Sequence, residues 1–396
     1  MTRQDHHAPA PRHNKLLAGA IGIAALLAAA GFGLYWTATL QYREVTEDAY
    51  VEGNLVQVTT QVAGTVTAIA ADNTDRVRAG QQLVTLNPVD ARLALERSTA
   101  MLAKTVRQVR AQVAAAAQMQ ANVELRRTDL NRVQADVERR EQLVRTGAIS
   151  GEDLEHAREA VRTARAALVA AGQQFAANNA YVEGTSVATH PDVLGAAAQV
   201  KDAYIATVRT AVPAPVAGMV AKRNAQVGQR VAAGATLMTI VPVDAVWVTA
   251  NFKESQLRHL RSGQPVALTA DAYGSGVVYH GTVVGEEAGT GSAFSLMPAQ
   301  NATGNWIKVV QRVPVRIALD PREVAGHPLQ LGLSMRVTVD TTQRGRTRMA
   351  AGAAPAQAYR TTVFAREDQD AAALVARIVD ANSGGAHLTP GRRAGS

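Results

Sequence analysis

Residues 62–90 read VAGTVTAIAADNTDRVRAGQQLVTLNPVD, and residues 216–244 read VAGMVAKRNAQVGQRVAAGATLMTIVPVD. The two stretches align at a constant offset of 154 without a gap, and 14 of the 29 positions are identical. Val62/Val216, Gly64/Gly218, Val66/Val220, Val77/Val231, Gly80/Gly234, Leu83/Leu237, Thr85/Thr239 and Pro88/Pro242 are among the identities. A repeat so short and so far apart is not a solenoid. Each copy is a few short apolar runs broken by Gly, too few strands to close a core alone. The pair therefore predicts one small β-domain in two halves, at 61–87 and 210–242. They meet only if the chain between them leaves and returns to the same place, which demands a hairpin.

The intervening sequence has that pattern. From Pro88, with acidic Asp90 in the first turn, a helix is expected. Leu95, Leu102, Val109, Ala116, Val123, Leu130, Val137 and Val144 recur every seven residues, one spine of a coiled coil. The second seam position is poorer: Thr99, Val106 and Val113 give way to Gln120, Arg127, Gln134 and Glu141. Such a narrow stripe suits a two-helix hairpin over 88–209. Its tip falls at 146–151, where Gly147 can end a helix in the left-handed region and Ser150, followed by Glu152 and Asp153, can cap the next. The returning helix repeats the spacing with Leu154, Val161, Leu168, Phe175 and Val182, and Ala157, Ala164 and Ala171 permit close approach. Gly184 and Pro191 interrupt it, and a third helix is expected from Asp192 to Arg209. Arg126, Arg127, Arg132, Arg139, Arg140 and Arg145 are interleaved with Gln, Glu and Asp and carry no aromatic companions, so they read as a solvated face and not a nucleic-acid surface.

The 396 residues are enough for two or three domains. Apolar residues make up 47% but aromatics only 4%, a balance that favours Ala-, Val- and Leu-rich helices and thin β-modules over one large core. With no Cys, disulfides, thiolate zinc sites and thiol catalysis are excluded. The formal charge of +8 reads as scattered solvated Arg. Residues 16–36, LLAGAIGIAALLAAAGFGLYW, carry no charge. At ~1.5 Å per residue they match a ~30 Å hydrocarbon core. Arg3, Arg12 and Lys15 precede them, which predicts a cytoplasmic tail at 1–15 and a single pass, with Tyr35 and Trp36 at the far interface. A cleaved signal peptide ending near Ala28-Ala29-Ala30 is the rival, although the apolar run continues to Trp36. The rest of the chain is then expected outside a bacterial inner membrane.

Strand patterns begin at 45–60 and resume after Asp244 with VWVTANF, then at 264–270, 277–284, 306–319 and 331–341, with a short helical piece from Glu254 to Arg261. These predict a small β-barrel at 243–342, which the 45–60 strands are expected to join. The Gly-rich loop at 285–305 lacks the Gly-Lys-Ser/Thr of a phosphate loop; with Phe294 and Trp306 nearby it suits a contact surface. Its Asn301-Ala302-Thr303 matches a glycosylation sequon by chance. Residues 343–396 are basic and rich in Ala, Gly and Arg and read as a flexible tail. The nine His form no H-x-x-x-H pair and there is no G-x-S-x-G, so catalysis has no sequence support and no cofactor is expected.

The Val-x-Gly-x-Val pattern of each repeat resembles the lipoyl/biotinyl carrier hammerhead. Carriers place a Lys at the hairpin tip; neither Val84–Ala91 nor Met238–Ala245 contains one, which removes the swinging-arm reading and leaves the scaffold. The full order resembles the periplasmic adaptor (membrane fusion protein) family of tripartite efflux pumps, of the HlyD/EmrA type. TEDAYVEGN at 46–54, ADNTD at 71–75, VTANFKESQ at 248–256 and GTGSAFSLMPAQNATGNWIKVVQRVPVRIALD at 289–320 carry the resemblance, which spans roughly residues 40–342. It implies an elongated α+β protein: an N-terminal transmembrane helix, a lipoyl-like (barrel-sandwich hybrid) domain split by an antiparallel coiled-coil α-hairpin, and a small β-barrel. It further implies a non-enzymatic adaptor, assembled as a homo-oligomeric ring, often of six. Its partners would be an inner-membrane drug:proton antiporter of the major facilitator superfamily and a TolC-like outer-membrane channel. Family hairpin tips carry Arg, then Leu four residues on, then Ser seven further, and Arg139, Leu143 and Ser150 match that spacing. The alternatives are an adaptor for type I secretion with an ABC transporter, a tethered carrier domain, and a purely structural coiled-coil tether.

Overall fold

The computed structural model describes residues 2, 13–38, 42–291, 293, 310–342 and 360–384. In chain order the helices are α1 (His13–Ala38), α2 (Val89–Arg145), α3 (Gly151–Asn179), α4 (Pro191–Val208), α5 (Pro321–Gly326) and α6 (Glu367–Asn382). The strands before the hairpin are β1 (Arg43–Thr46), β2 (Ala49–Gly53), β3 (Val56–Thr59), β4 (Gly64–Ile69), β5 (Arg76–Val77) and β6 (Gln82–Leu86). After it come β7 (Ala211–Pro213), β8 (Gly218–Arg223), β9 (Arg230–Val231), β10 (Thr236–Val241), β11 (Val246–Lys253), β12 (Pro265–Ala270), β13 (Val278–Glu286), β14 (Arg312–Leu319) and β15 (Met335–Asp340).

The two repeats interlock. One four-stranded sheet runs β3-β10-β8-β5 and the other β7-β6-β4-β9, so each contains strands from both copies. The hydrogen bonds obey the same offset as the sequence. Val66 N–H donates to Gln229 O and Val220 N–H to Asp75 O, both at 2.9 Å. Gly80 N–H donates to Ala214 O at 2.8 Å and Gly234 N–H to Thr60 O at 2.7 Å. Gly80 and Gly234 have φ of +81° and +85°, which a side chain would strain. Val66, Val77 and Leu83 share one core with Val220, Val231 and Leu237, all under a tenth exposed. A side chain at Gly218 would place Cβ 2.4 Å from Val241 O, so the close approach of β8 to β10 requires Gly. Where a carrier hairpin would carry its Lys, both halves leave the domain: β6 runs through Asn87 and Pro88 into α2, and β10 runs through Pro242–Ala245 into β11.

The helices leave and return as the spacing requires. α2 has 57 residues, ~85 Å at the usual rise, and packs against α3 and then α4. The return breaks where Gly184, at φ +71°, and Pro191 interrupt it; α3 ends at Asn179, three residues before the expected Val182. α4 restarts with Pro191 at its first turn and His190 as cap, the imidazole Nδ1 accepting from Asp192 N–H at 3.2 Å. Nε2 lies 2.9 Å from Tyr181 O, so the buried ring bridges the two sides of the break.

The barrel is a seven-stranded antiparallel sheet ordered β1-β15-β12-β13-β14-β11-β2. Val51 N–H to Leu333 O at 3.0 Å and Gly332 N–H to Val51 O at 2.8 Å join its edge strand β2 to the approach of β15. Phe252, Leu268, Tyr279, Ile317 and Val337 fill the centre. Burial raises the Tyr279 phenol, whose O–H donates to His327 O at 3.0 Å. The 45–60 segment divides: β1 and β2 enter the barrel, whereas β3 pairs with β10, because Val58 completes the lipoyl-like core. The helical piece expected at 254–261 is a 3₁₀ turn at Gln256–Arg258. Of the runs expected at 306–319 and 331–341, β14 takes Arg312–Leu319 and β15 Met335–Asp340, and 306–309 lie outside the described residues. In the long loop, residues 292 and 294–309, including Phe294, Trp306 and the sequon, lie outside the described residues.

The tail corrects the sequence reading. Residues 360–384 are ordered, and α6 lies against α2 and α4 at the hairpin base. Its Leu374, Val375, Ile378 and Val379 pack with Leu102, Val106, Val109, Val193 and Val200. Ala371, Leu374, Val375, Ile378 and Val379 form one helical face that the Ala-, Gly- and Arg-rich composition concealed. Residues 343–359 and 385–396 lie outside the described residues, as do Arg3 and Arg12. Among the described residues no helix is long and apolar enough to cross a membrane; in α1, side-chain environments are described only for 20–33.

Candidate functional site: the hairpin and its tip

The tip is built by two complementary helix ends. At the close of α2, Gly147 takes φ +74° and donates to Val144 O at 3.0 Å. Ala148 N–H and Thr146 Oγ1 both donate to Leu143 O, at 3.0 and 2.8 Å. These bonds satisfy carbonyls that the ending helix leaves without partners. Across the turn Ser150 starts α3 with a capping box: Ser150 Oγ accepts from Asp153 N–H at 3.1 Å, and Ser150 N–H donates to Asp153 Oδ2 at 3.3 Å. Ser150 O–H donates to the same carboxylate at 2.6 Å. The Ser150 hydroxyl and backbone bonds hold the Asp153 carboxyl below its ordinary value.

The three residues matched by spacing stand differently. Arg139 and Leu143 are one turn apart on α2, hence on one face, and both are exposed. The Arg139 guanidinium pairs with Asp136 on its own helix, and Arg140 Nε reaches the other oxygen of that carboxylate at 2.7 Å. Those two bonds, Arg139's first, lower the Asp136 carboxyl. Ser150 lies on the far side of the turn with its one hydroxyl proton committed to Asp153. Arg140 Nη1 to Asp153 O at 3.5 Å and Arg158 to Glu141 at 3.0 Å tie the helices together behind the tip.

Along the shaft the heptad spine meets different partners. Leu102 and Val109 are fully enclosed at the base, together with Val106 from the second seam. Val113 is 38% exposed and contributes little. Leu130, Leu154, Ala157, Ala164 and Ala171 are buried, whereas Leu95, Val123, Val137, Val161, Leu168 and Phe175 are half-buried. Two helices alone cannot cover larger seam residues on every side; the third helix covers the base. Leu125 and Val169, 63% and 59% exposed, leave apolar surface on the shaft. Sequence reading missed α6, the Arg140–Asp153 tie and the His190 bridge. Only α6 had a readable signal, its amphipathic spacing.

No cluster of three or more His, Asp or Glu among the described residues is placed to hold a metal. The tip is a solvent-facing knob with a cation, an apolar side chain and capped helix ends. It sits far along a helix from the lipoyl-like domain.

A lipoyl-like domain interrupted by an α-hairpin and followed by a β-barrel is the architecture of a membrane fusion, or periplasmic adaptor, protein. Residues 89–210 match the family described as the EmrA alpha-helical hairpin domain. The chain is 48% identical over 316 residues to the multidrug export protein EmrA of Escherichia coli (strain K12), covering 80% of this chain and 81% of that protein. It is 54% identical over 301 residues to the fatty acid resistance protein FarA of Neisseria gonorrhoeae, covering 76% of each. A solved structure of the periplasmic adaptor protein EmrA aligns over 76% of this chain and 98% of its own, at 19% identity and a TM-score of 0.37. The chain belongs to the EmrA family of multidrug export proteins.

Proposed function

We propose that this chain is the adaptor of a tripartite efflux pump, coupling an inner-membrane drug:proton antiporter of the major facilitator superfamily to a TolC-like outer-membrane channel. The observation that carries the reading is the hairpin: a ~85 Å helix, paired with α3, closed by a capped tip and reinforced at its base by α4 and α6, spans distance and presents an end. Family membership supports the export role. The relatives' names, multidrug export and fatty acid resistance, favour small molecules over a secreted polypeptide. The protein carries no catalysis of its own; the antiporter supplies the energy and the adaptor the conduit.

α1 is the anchor in this reading. Ile21, Leu26 and Leu27 are 64%, 70% and 69% exposed, and a helix apolar on all faces needs apolar surroundings. It crosses the inner membrane once with its N-terminus cytoplasmic, and the bulk of the chain is periplasmic. Several copies form a ring, and Arg139 and Leu143 meet the channel, with Ser150 setting the shape of the tip.

The absence of Cys makes the test clean. A single Ala148→Cys substitution leaves the cap intact; Ala100→Cys on the base of α2 is the control. In intact cells, a short heterobifunctional reagent is expected to yield an adduct with the outer-membrane channel from position 148 alone. Equal adducts from both positions, or none from 148, would refute tip docking.

A further inference from the structure

A cavity of about 320 Å³ lies at the joint between the hairpin and the lipoyl-like domain. Val58 of β3 and Val212 of β7 line it from the domain, Tyr204 and Val208 from the last turns of α4, and Val363 and Phe364 from the segment ahead of α6. Voids left by imperfect packing are about the size of one water. This volume is that of a small-ligand pocket. Its charges largely cancel. Arg209 Nε and Nη2 lie 3.0 and 2.9 Å from Glu367 Oε2 at its edge, and the Glu367 side chain is 13% exposed. Arg366 and Asp370, of opposite sign, complete the lining. The Tyr204 hydroxyl and the Gln61 amide also line it, and neither has a hydrogen-bond partner among the described residues.

We propose that this cavity is a binding site for an uncharged, ring-bearing apolar molecule with one hydrogen-bonding group, and that docking of the C-terminal segment completes it. An ion would have to compete with the Arg209–Glu367 pair, whereas an apolar ring gains the burial that the valines and Phe364 offer. The segment supplies one wall and is held by independent contacts: Val379 in the apolar cluster at the base, Lys201 Nζ to Asp368 at 3.5 Å, and Arg107 Nη1 to Asn382 at 2.9 Å. A ligand that needs this wall binds only the docked state, so ligand and α6 stabilise each other. The site lies at the hairpin's root and stands whether or not the tip meets a channel.

Benzophenone tests it, being uncharged, two-ringed and equipped with one carbonyl acceptor for the Tyr204 hydroxyl. The full-length chain in detergent is irradiated with it and the adducts are mapped by mass spectrometry. Adducts are expected on 57–61, 204–215 and 363–366. Their yield should fall at least tenfold when Val208→Trp fills the cavity from α4 and when Gln61→Trp fills it from the opposite side, and the yield on 57–61 and 204–215 should fall as far when the chain is truncated after Thr342. Gln61 is exposed, so that variant decides the question even if Val208→Trp disturbs folding. Adducts confined to α1 and other surfaces, or yields at 57–61 and 204–215 unchanged by Gln61→Trp and by truncation, would overturn the assignment.

Discussion

Replacing Ser150 by Ala separates the two roles that meet at the tip, because it removes the cap and the hydroxyl together. The lost bond is Ser150 Oγ to Asp153 N–H, 3.1 Å, and among the described residues no other side chain accepts from the first-turn N–H groups of α3. Loss of a Ser cap costs ~1 kcal/mol, which is about a fivefold change in an opening equilibrium. The effect should stay local, since Leu154 is buried against α2 and holds the next turn. Amide hydrogen exchange is the assay: protection of Asp153 is expected to fall about fivefold, with Leu168 unchanged. Ser150→Asn restores an N-cap acceptor without the hydroxyl and should restore protection. It should also restore the channel adduct formed from Ala148→Cys, which Ser150→Ala weakens. Unaltered exchange at Asp153 in Ser150→Ala would refute the capping account. A restored cap with no restored adduct would show that the hydroxyl itself touches the channel.

Gly218→Ala should destabilise the lipoyl-like domain by about 3 kcal/mol, because its Cβ meets the Val241 carbonyl at 2.4 Å and β8 must part from β10. The equivalent Gly64→Ala meets only the Leu86 side chain at 3.3 Å and should cost under ~1 kcal/mol; exchange in β4 and β8 compares them. Val379→Asp puts a carboxylate into the base cluster at a cost of several kcal/mol and should release α6, read as new protease cleavage within 360–384 and faster exchange from Leu102 to Val109. Acid should loosen the tip and the seam between the repeats. Asp153, held down by Ser150, and Asp72, held down chiefly by its hydrogen bond from Arg223, both have folded values below the ordinary 3.8. Their contribution is present above that value and is lost as pH falls through the depressed one, so protection at Asp153 and Arg223, taken relative to the intrinsic exchange rate at each pH, should fall below about pH 4 and stay flat from 5 to 8.

The parts of this fold that were legible in sequence are those where one physical requirement recurs. The 154-residue offset forced two half-domains together, and it reappears in paired hydrogen bonds such as Val66–Gln229 and Val220–Asp75. The seven-residue spine from Leu95 to Val144 named the hairpin because a coiled coil has to repeat its contacts. What stayed hidden depends on neighbours distant in sequence. β3 belongs to the lipoyl-like core and β2 to the barrel, yet both read as alternating strands; Val58 and Val51 differ only in what lies opposite them. Ser150 read as a docking residue and also as a cap, and the geometry commits its proton to Asp153. α6 was masked by composition, since a five-residue apolar face is diluted in an Ala- and Arg-rich segment.

The placement of α6 has a mechanical consequence. A rod held at one end and loaded at the other carries its greatest bending moment at the root. Here the root is also where the chain is joined only by Asn87–Pro88 and by the passage from α4 to β7. Along the outer shaft α2 has one companion, α3, and half-buried seam residues such as Val123, Val137 and Val161. At the root it has two, α4 and α6, and Leu102, Val106 and Val109 are sealed. The Arg209–Glu367 pair ties the end of α4 to α6, and Phe364 lines the cavity at the joint together with Val58 of β3 and Val212 of β7. A chain cut after Thr342 keeps the whole shaft and both β-domains and loses only this support. Spin labels at Ala148 and at exposed Gln229 of the lipoyl-like domain should then report a broader distance distribution, with the domain's own exchange pattern unchanged. An equally narrow distribution in the truncated chain would mean that the two covalent crossings set the hairpin's angle unaided.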